Sequence, residues 1–120
     1  MPPFTVQGMG RTLGELEQLL MMALLRLGGE ASGIDLRTEL HARTGRTVLP
    51  GAIYTIMERL RERGLVTSFT GASTPERGGR RRKYYRLAPA GERALAASYR
   101  QVEQMADGIA DRLRAHWEKS

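Results

Sequence analysis

The sequence predicts a mainly helical α+β fold in one small domain, and three observations carry that expectation. Apolar residues recur at intervals of three and four in four separate segments, as amphipathic helices require. Two short β-branched and aromatic segments, 65–70 and 82–87, flank a stretch rich in Gly, Pro and Ser, which reads as a hairpin. The chain has 120 residues, 41% of them hydrophobic, enough for one core and too few for a second domain or a deep enclosed cleft.

Taken in order, residues 1–11 hold prolines and glycines without periodicity and are expected to form a flexible arm. Leu13, Leu16, Leu20, Ala23, Leu24 and Leu27 then make one helical stripe, and Leu19, Met22 and Leu25 a second. Thr12 is a candidate cap with Glu15 behind it, and Gly28–Gly29 end the helix. Ser32 is the next N-cap candidate, opening a helix with Ile34, Leu36 and Leu40 that stops near Gly45 and turns Arg37, Glu39 and Arg43 toward solvent. Pro50 suits the first position of a third helix. Ile53, Ile56, Met57 and Leu60 form its apolar face, and Gly64 follows it. The opposite face carries Ala52, Tyr54, Thr55, Glu58, Arg59 and Glu62, with a small, uncharged first turn. Strands 65–70 and 82–87 come next, with one of Tyr84 and Tyr85 facing the core. A last helix opens at Pro89–Gly91. Its stripe of Leu95, Tyr99, Val102, Ala106, Ile109 and Leu113 is spaced 4, 3, 4, 3, 4. At 1.5 Å per residue this helix would run about 40 Å with nothing left in the chain to cover it. A second copy is the expected partner, so the chain reads as half of a homodimer.

Charge locates the function. Net charge is +6, with 19 Lys and Arg against 13 Asp and Glu. Residues 1–75 hold eight basic and seven acidic side chains and residues 87–120 five of each, whereas residues 76–86, ERGGRRRKYYR, hold six basic and one acidic. A cationic segment this dense points to an anionic polymer, nucleic acid before membrane surface. The absence of cysteine excludes disulfides, thiol nucleophiles and thiolate zinc sites. His41 and His116 stand in no metal-ligand spacing, and no nucleophile–base pair, paired-carboxylate motif or phosphate loop is visible, so no enzyme, metal or cofactor is expected. No apolar run approaches the roughly 20 residues of a membrane span. The N-terminus lacks a basic region followed by an apolar one, so a cytoplasmic location is expected.

Three short helices followed by a basic hairpin is the layout of a winged helix-turn-helix, here with a long C-terminal dimerisation helix. Residues 12–88 form the DNA-binding domain in this reading and 89–120 the dimerisation helix. A recognition helix needs a small, non-repulsive end to enter a major groove about 12 Å wide. A basic hairpin can neutralise phosphates.

Two stretches resemble the PadR-like transcriptional regulators. Pro50-Gly51-Ala52-Ile53-Tyr54, continuing through Leu60, Gly64 and Leu65-Val66, is similar to that family's recognition-helix segment. Gly79-Arg80-Arg81-Arg82-Lys83-Tyr84-Tyr85-Arg86-Leu87, followed by Pro89-Ala90-Gly91, is similar to its wing and following strand. The likeness covers about residues 12–117, and the length suits the small subfamily with a single dimerising helix. It implies a repressor that binds double-stranded DNA, with the tyrosine matching Tyr54 reaching phosphate. Three positions depart from the pattern. Leu49 and Ala88 stand where relatives often have a capping residue. Val102 stands where some small members carry a drug-stacking tryptophan, so that role is not carried over to this chain.

The expected DNA contacts are therefore Leu49, Ala52, Tyr54, Thr55 and Arg59 on the helix and Arg80, Arg81, Arg82 and Lys83 in the wing. Ala52 or Thr55 would meet a thymine methyl, and the wing cations would meet phosphate or the minor groove. Arg59 reaches a phosphate or pairs with Glu62. Leu16, Leu20, Leu95, Tyr99, Val102, Ala106, Ile109 and Leu113 are the expected dimer interface. Leu16, Leu20, Tyr99, Val102 and Met105 line the place to look for a small-molecule effector, since methionines suit adaptable pockets. A ligand-gated sensor is the second functional reading. An interaction module that has lost DNA binding is disfavoured by the basic wing.

Overall fold

The structure, a computed structural model, describes residues 13–71 and 82–118. Helix α1 spans Glu15–Arg26, strand β1 Glu30–Ser32, helix α2 Gly33–Thr44 and helix α3 Pro50–Glu62. Strands β2 (Val66–Thr70) and β3 (Lys83–Leu87) follow, then helices α4 (Pro89–Ala106) and α5 (Ala110–Glu118). The three strands form one antiparallel sheet in the order β1-β3-β2.

Most element ends follow from local chemistry. Ser32 caps α2, its hydroxyl accepting from the Asp35 N–H at 3.1 Å while the Asp35 carboxylate accepts from the Ser32 N–H at 3.4 Å. Gly45 closes the helix with φ 75°, where a side chain would be strained. Pro50 takes the first position of α3, behind Leu49, which supplies no side-chain cap. Ala88 likewise supplies none to α4. The cap expected from Thr12 lies outside the described residues; among them, Gly14 donates its N–H to the Glu17 carboxylate at 2.8 Å.

Helix α1 is the hub, packing against α2, α3, α4 and the sheet. Leu20, Met21, Leu24, Leu36, Ile53, Met57, Leu60, Val66 and Tyr85 close the core around it. Tyr85 faces that core from the central strand. Tyr84 faces outward and stacks on Phe69, centroids 5.4 Å apart. The two tyrosines thus divide between the faces as the alternation predicts. Gly91 seats α4. It is buried, and a Cβ there would run into the Leu65 carbonyl and the Leu87 side chain.

Two features depart from the expectation. The sheet has a third strand, β1, pairing Glu30 with Arg86, Ala31 with Tyr85 and Ser32 with Tyr84. The last helix is not continuous. Asp107 leaves helical geometry and Gly108 adopts φ 87°, so α4 stops at Ala106 and α5 starts at Ala110.

Candidate nucleic-acid interface

The α2–turn–α3 unit presents its exposed side at the start of α3. Residues 49–52 are all exposed, as are Tyr54, Thr55 and Arg59, while Ile53, Met57 and Leu60 anchor the helix in the core. Leu49, at 72% exposure, is an apolar side chain with no intramolecular reason to face water. The first turn carries no acidic residue, so nothing there repels phosphate. The exposed Thr55 donates its hydroxyl to the Gly51 carbonyl at 3.0 Å, so that group is engaged within the helix. The turn before α3 is braced by Arg37, whose Nε donates to the Val48 carbonyl at 2.7 Å. Sequence patterning gives Arg37 only a solvent-facing role; the structure shows it part-buried and bonded across the turn.

On the wing, Arg80 and Arg81 lie outside the described residues. Arg82 is half-buried, and its carbonyl accepts from the Gly71 N–H at 2.8 Å at the base of the hairpin. A Cβ at Gly71 would meet the Tyr84 ring, which would have to shift to admit it. Lys83, expected at DNA phosphate, is paired within the chain. Its Nζ lies 2.8 Å from Glu58 Oε2 on α3, and 5.3 Å and 5.9 Å from the ring centroids of Tyr54 and Tyr85. Glu58 also accepts from Arg61 Nε at 2.9 Å and from the Tyr85 hydroxyl at 3.2 Å. The Lys83 hydrogen bond foremost, with the Arg61 hydrogen bond and both positive charges, holds the Glu58 carboxyl below its ordinary 4.5 against the opposing effect of its partial burial. Its stabilising contribution is therefore present above the ordinary carboxylate range and is lost as pH falls through that lowered value. Burial, then the negative Glu58, pushes the Tyr85 phenol up, so it stays a neutral donor. Glu58 sits on the polar face in the sequence with Arg61 one turn on, but its two partners on β3 are 25 and 27 residues away, and only the fold brings them to it.

The C-terminal apolar stripe is open to solvent at Tyr99, Val102, Met105, Ile109, Leu113 and Trp117, with Ala106 half-buried. Two members of the expected interface are corrected. Leu20 is fully buried and Leu95 is 4% exposed, both within the chain's own core. Leu16 is half-buried and packs on that core. The expected effector residues are not gathered in one place either. A groove of about 630 Å3 runs between α1, α2 and α4, lined by Leu19, Met22, Leu25, Leu40, Leu95 and Tyr99 among others. Of the expected set only Tyr99 lines it; Leu20 is enclosed in the core, and Val102 and Met105 lie further along α4. Among the described residues no helix is long and apolar enough to cross a membrane, and no His, Asp and Glu cluster has metal-ligand geometry.

Comparison with known proteins agrees with this geometry. The transcriptional regulator PadR-like family matches residues 21–97. A PadR family transcriptional regulator from Eggerthella lenta is 31% identical, with 82% of this chain and 86% of that one aligned at a TM-score of 0.64. A PadR-like regulator from Bacillus cereus shares the fold at 24% identity, covering 90% of this chain and 97% of that one at a TM-score of 0.64. PadR of Bacillus subtilis, solved in complex with operator DNA, aligns over 69% of this chain and 47% of its own at 24% identity and a TM-score of 0.57. No curated protein sequence matches significantly. With well over half of its length matched by the family and a relative above 30% identity, this winged-helix chain belongs to the PadR-like family of transcriptional regulators.

Proposed function

We propose that the chain is a cytoplasmic, non-enzymatic repressor that binds a pseudo-palindromic operator as a homodimer. The observation that carries this reading is the uncharged start of α3, where residues 49–52, 54 and 55 are exposed, together with a sequence segment, 76–86, that holds most of the chain's excess positive charge. Leu49, Ala52, Tyr54, Thr55 and Arg59 enter or flank the major groove, and Arg80, Arg81 and Arg82 neutralise phosphate or reach the minor groove. Half-sites about 34 Å apart, one helical turn, fit a two-fold dimer. Tyr99, Val102, Ala106, Ile109 and Leu113 pair with a second copy. Their exposure supports this, because an apolar stripe of this length is rarely left in water.

The test is binding to the DNA upstream of the chain's own gene, followed across salt. Arg80→Ala with Arg82→Ala weakens binding to all sequences alike and flattens the salt slope by about 0.9 for each phosphate no longer neutralised. An unchanged slope rejects the wing assignment. Truncation after Ala97 is expected to give a monomer or insoluble protein, and a stable, DNA-competent dimer from it rejects the C-terminal interface.

A ligand-gated regulator is the second reading, supported by the groove that Tyr99 lines. A planar lipophilic effector bound there would have to favour one spacing of the recognition helices over another. Titrating the Trp117 fluorescence of the wild-type chain and of a Tyr99→Ala variant with such compounds tests it.

A further inference from the structure

We propose that Glu58 is a positioning residue that ties the wing to the recognition helix, and that Lys83 belongs to this tether instead of contacting DNA phosphate. The inference rests on the DNA-binding reading above. Glu58 lies in the third turn of α3, and the groups it holds on the wing side, Lys83 and the Tyr85 hydroxyl, both belong to β3. Tyr85 sits mid-strand in the central strand of the sheet, opposite Ala31 on one side and Ser68 on the other. A bond to Tyr85 therefore sets the whole sheet against α3.

An exposed Lys–Glu pair contributes little, since water competes for both ends. Here water reaches the Lys83 side chain, 39% exposed, but the carboxylate end is sheltered. The Glu58 side chain is only 17% exposed, and its two oxygens accept from three donors. The ammonium lies beside two aromatic rings. Charge-assisted bonds in such a setting fix geometry as well as contributing energy.

A carboxylate on a helix that meets an anionic polymer also has an electrostatic cost. Removing it should leave general DNA attraction the same or stronger. Retaining it makes sense if it supplies register: the angle at which residues 49–55 meet the groove while the wing meets the backbone. The two roles available to Lys83 therefore make opposite predictions. As a tether, it governs the ratio of specific to general binding. As a phosphate ligand, it governs both equally.

The full-length chain carrying Glu58→Gln, Lys83→Met or both is titrated with two probes. One is the duplex that the wild-type protein enriches from a random-sequence library; the other is poly(dI-dC). The tether predicts that each single variant loses roughly tenfold in the ratio of the two affinities, consistent with one or two charge-assisted bonds. The double variant is no worse than either single, because the two residues act as one unit. Lys83→Met leaves the salt slope unchanged. The proposal is overturned if Lys83→Met weakens both probes alike with a slope shallower by about 0.9, or if Glu58→Gln leaves the ratio intact. Should the wild-type chain enrich no duplex, the DNA-binding reading fails by itself. The tether is then decided by amide exchange across Lys83–Leu87. Exchange about fivefold or more faster in Glu58→Gln, but not in the exposed control Glu62→Gln, supports the tether; equal rates in both reject it.

Discussion

Helix α1 and the C-terminal pair α4–α5 carry the same kind of apolar periodicity and end in opposite environments. Leu20, Met21, Ala23 and Leu24 of α1 are buried inside the chain, whereas Val102, Met105, Ile109 and Leu113 of the C-terminal stripe face water. Helix α4 passes from one regime to the other along its length, from Gly91 and Leu95 in the core to Tyr99 onward outside it. Periodicity states that a face needs covering. It does not state whether the cover comes from the same chain. What decides is topology: α1 has α2, α3, α4 and the sheet around it, while the end of α4 has run beyond all of them.

The sharpest way to break this comparison is to damage its closed half. Leu24→Ala removes a fully buried side chain from the hub helix and is expected to cost about 2–5 kcal/mol of unfolding free energy. Urea denaturation at fixed protein concentration measures it. A cost under about 1 kcal/mol would mean that the α1 core is looser than its burial indicates.

Next is the seam where the two halves join. Gly91→Ala places a methyl against the Leu65 carbonyl, a backbone atom that cannot rotate away. About 1–3 kcal/mol of destabilisation is expected, although alanine is the better helix former. A thermal midpoint equal to or above that of the wild type would show that α4 does not seat against Leu65 and Leu87 as described.

Much of this architecture is legible in the sequence because its punctuation is local. Ser32, Gly45, Pro50 and Gly64 each announce an element end through their own chemistry, and each is used that way. What is not legible is nonlocal. Strand β1 is three residues long and owes its existence to β3, far along the chain. The Glu58 tether and the Arg37–Val48 brace depend on partners met only after folding. Leu20 looks like an interface residue because the stripe on α1 is continuous, and the stripe cannot say which side the chain itself covers. The break at Gly108 has a local signal, the Asp107–Gly108 pair, which favours a turn. The unbroken heptad spacing across it conceals that signal.

A smaller effect is expected at the helix-turn-helix entrance. Ser32→Ala removes the acceptor for the Asp35 N–H and should cost about 1 kcal/mol. Because Ser32 lies in the closed half and is fully buried, the loss should be independent of protein concentration. A concentration-dependent loss would place it at a subunit contact instead.

The smallest effect on the single chain is expected in the open half, and it is the most informative. Leu113→Ala trims a side chain that is half in water and lies on α5. In dilute solution, where the proposed homodimer is dissociated, unfolding free energy should move by no more than about 0.5 kcal/mol. At higher concentration the same substitution should weaken self-association, by about tenfold if the leucine is fully covered by the partner. Analytical ultracentrifugation and denaturation across a concentration series separate the two readouts. If stability falls in dilute solution by as much as at Leu24, the stripe is covered by its own chain and the contrast between the two helices disappears. If neither quantity changes, the stripe is not the subunit contact, and the groove beside Tyr99 becomes the next surface to test.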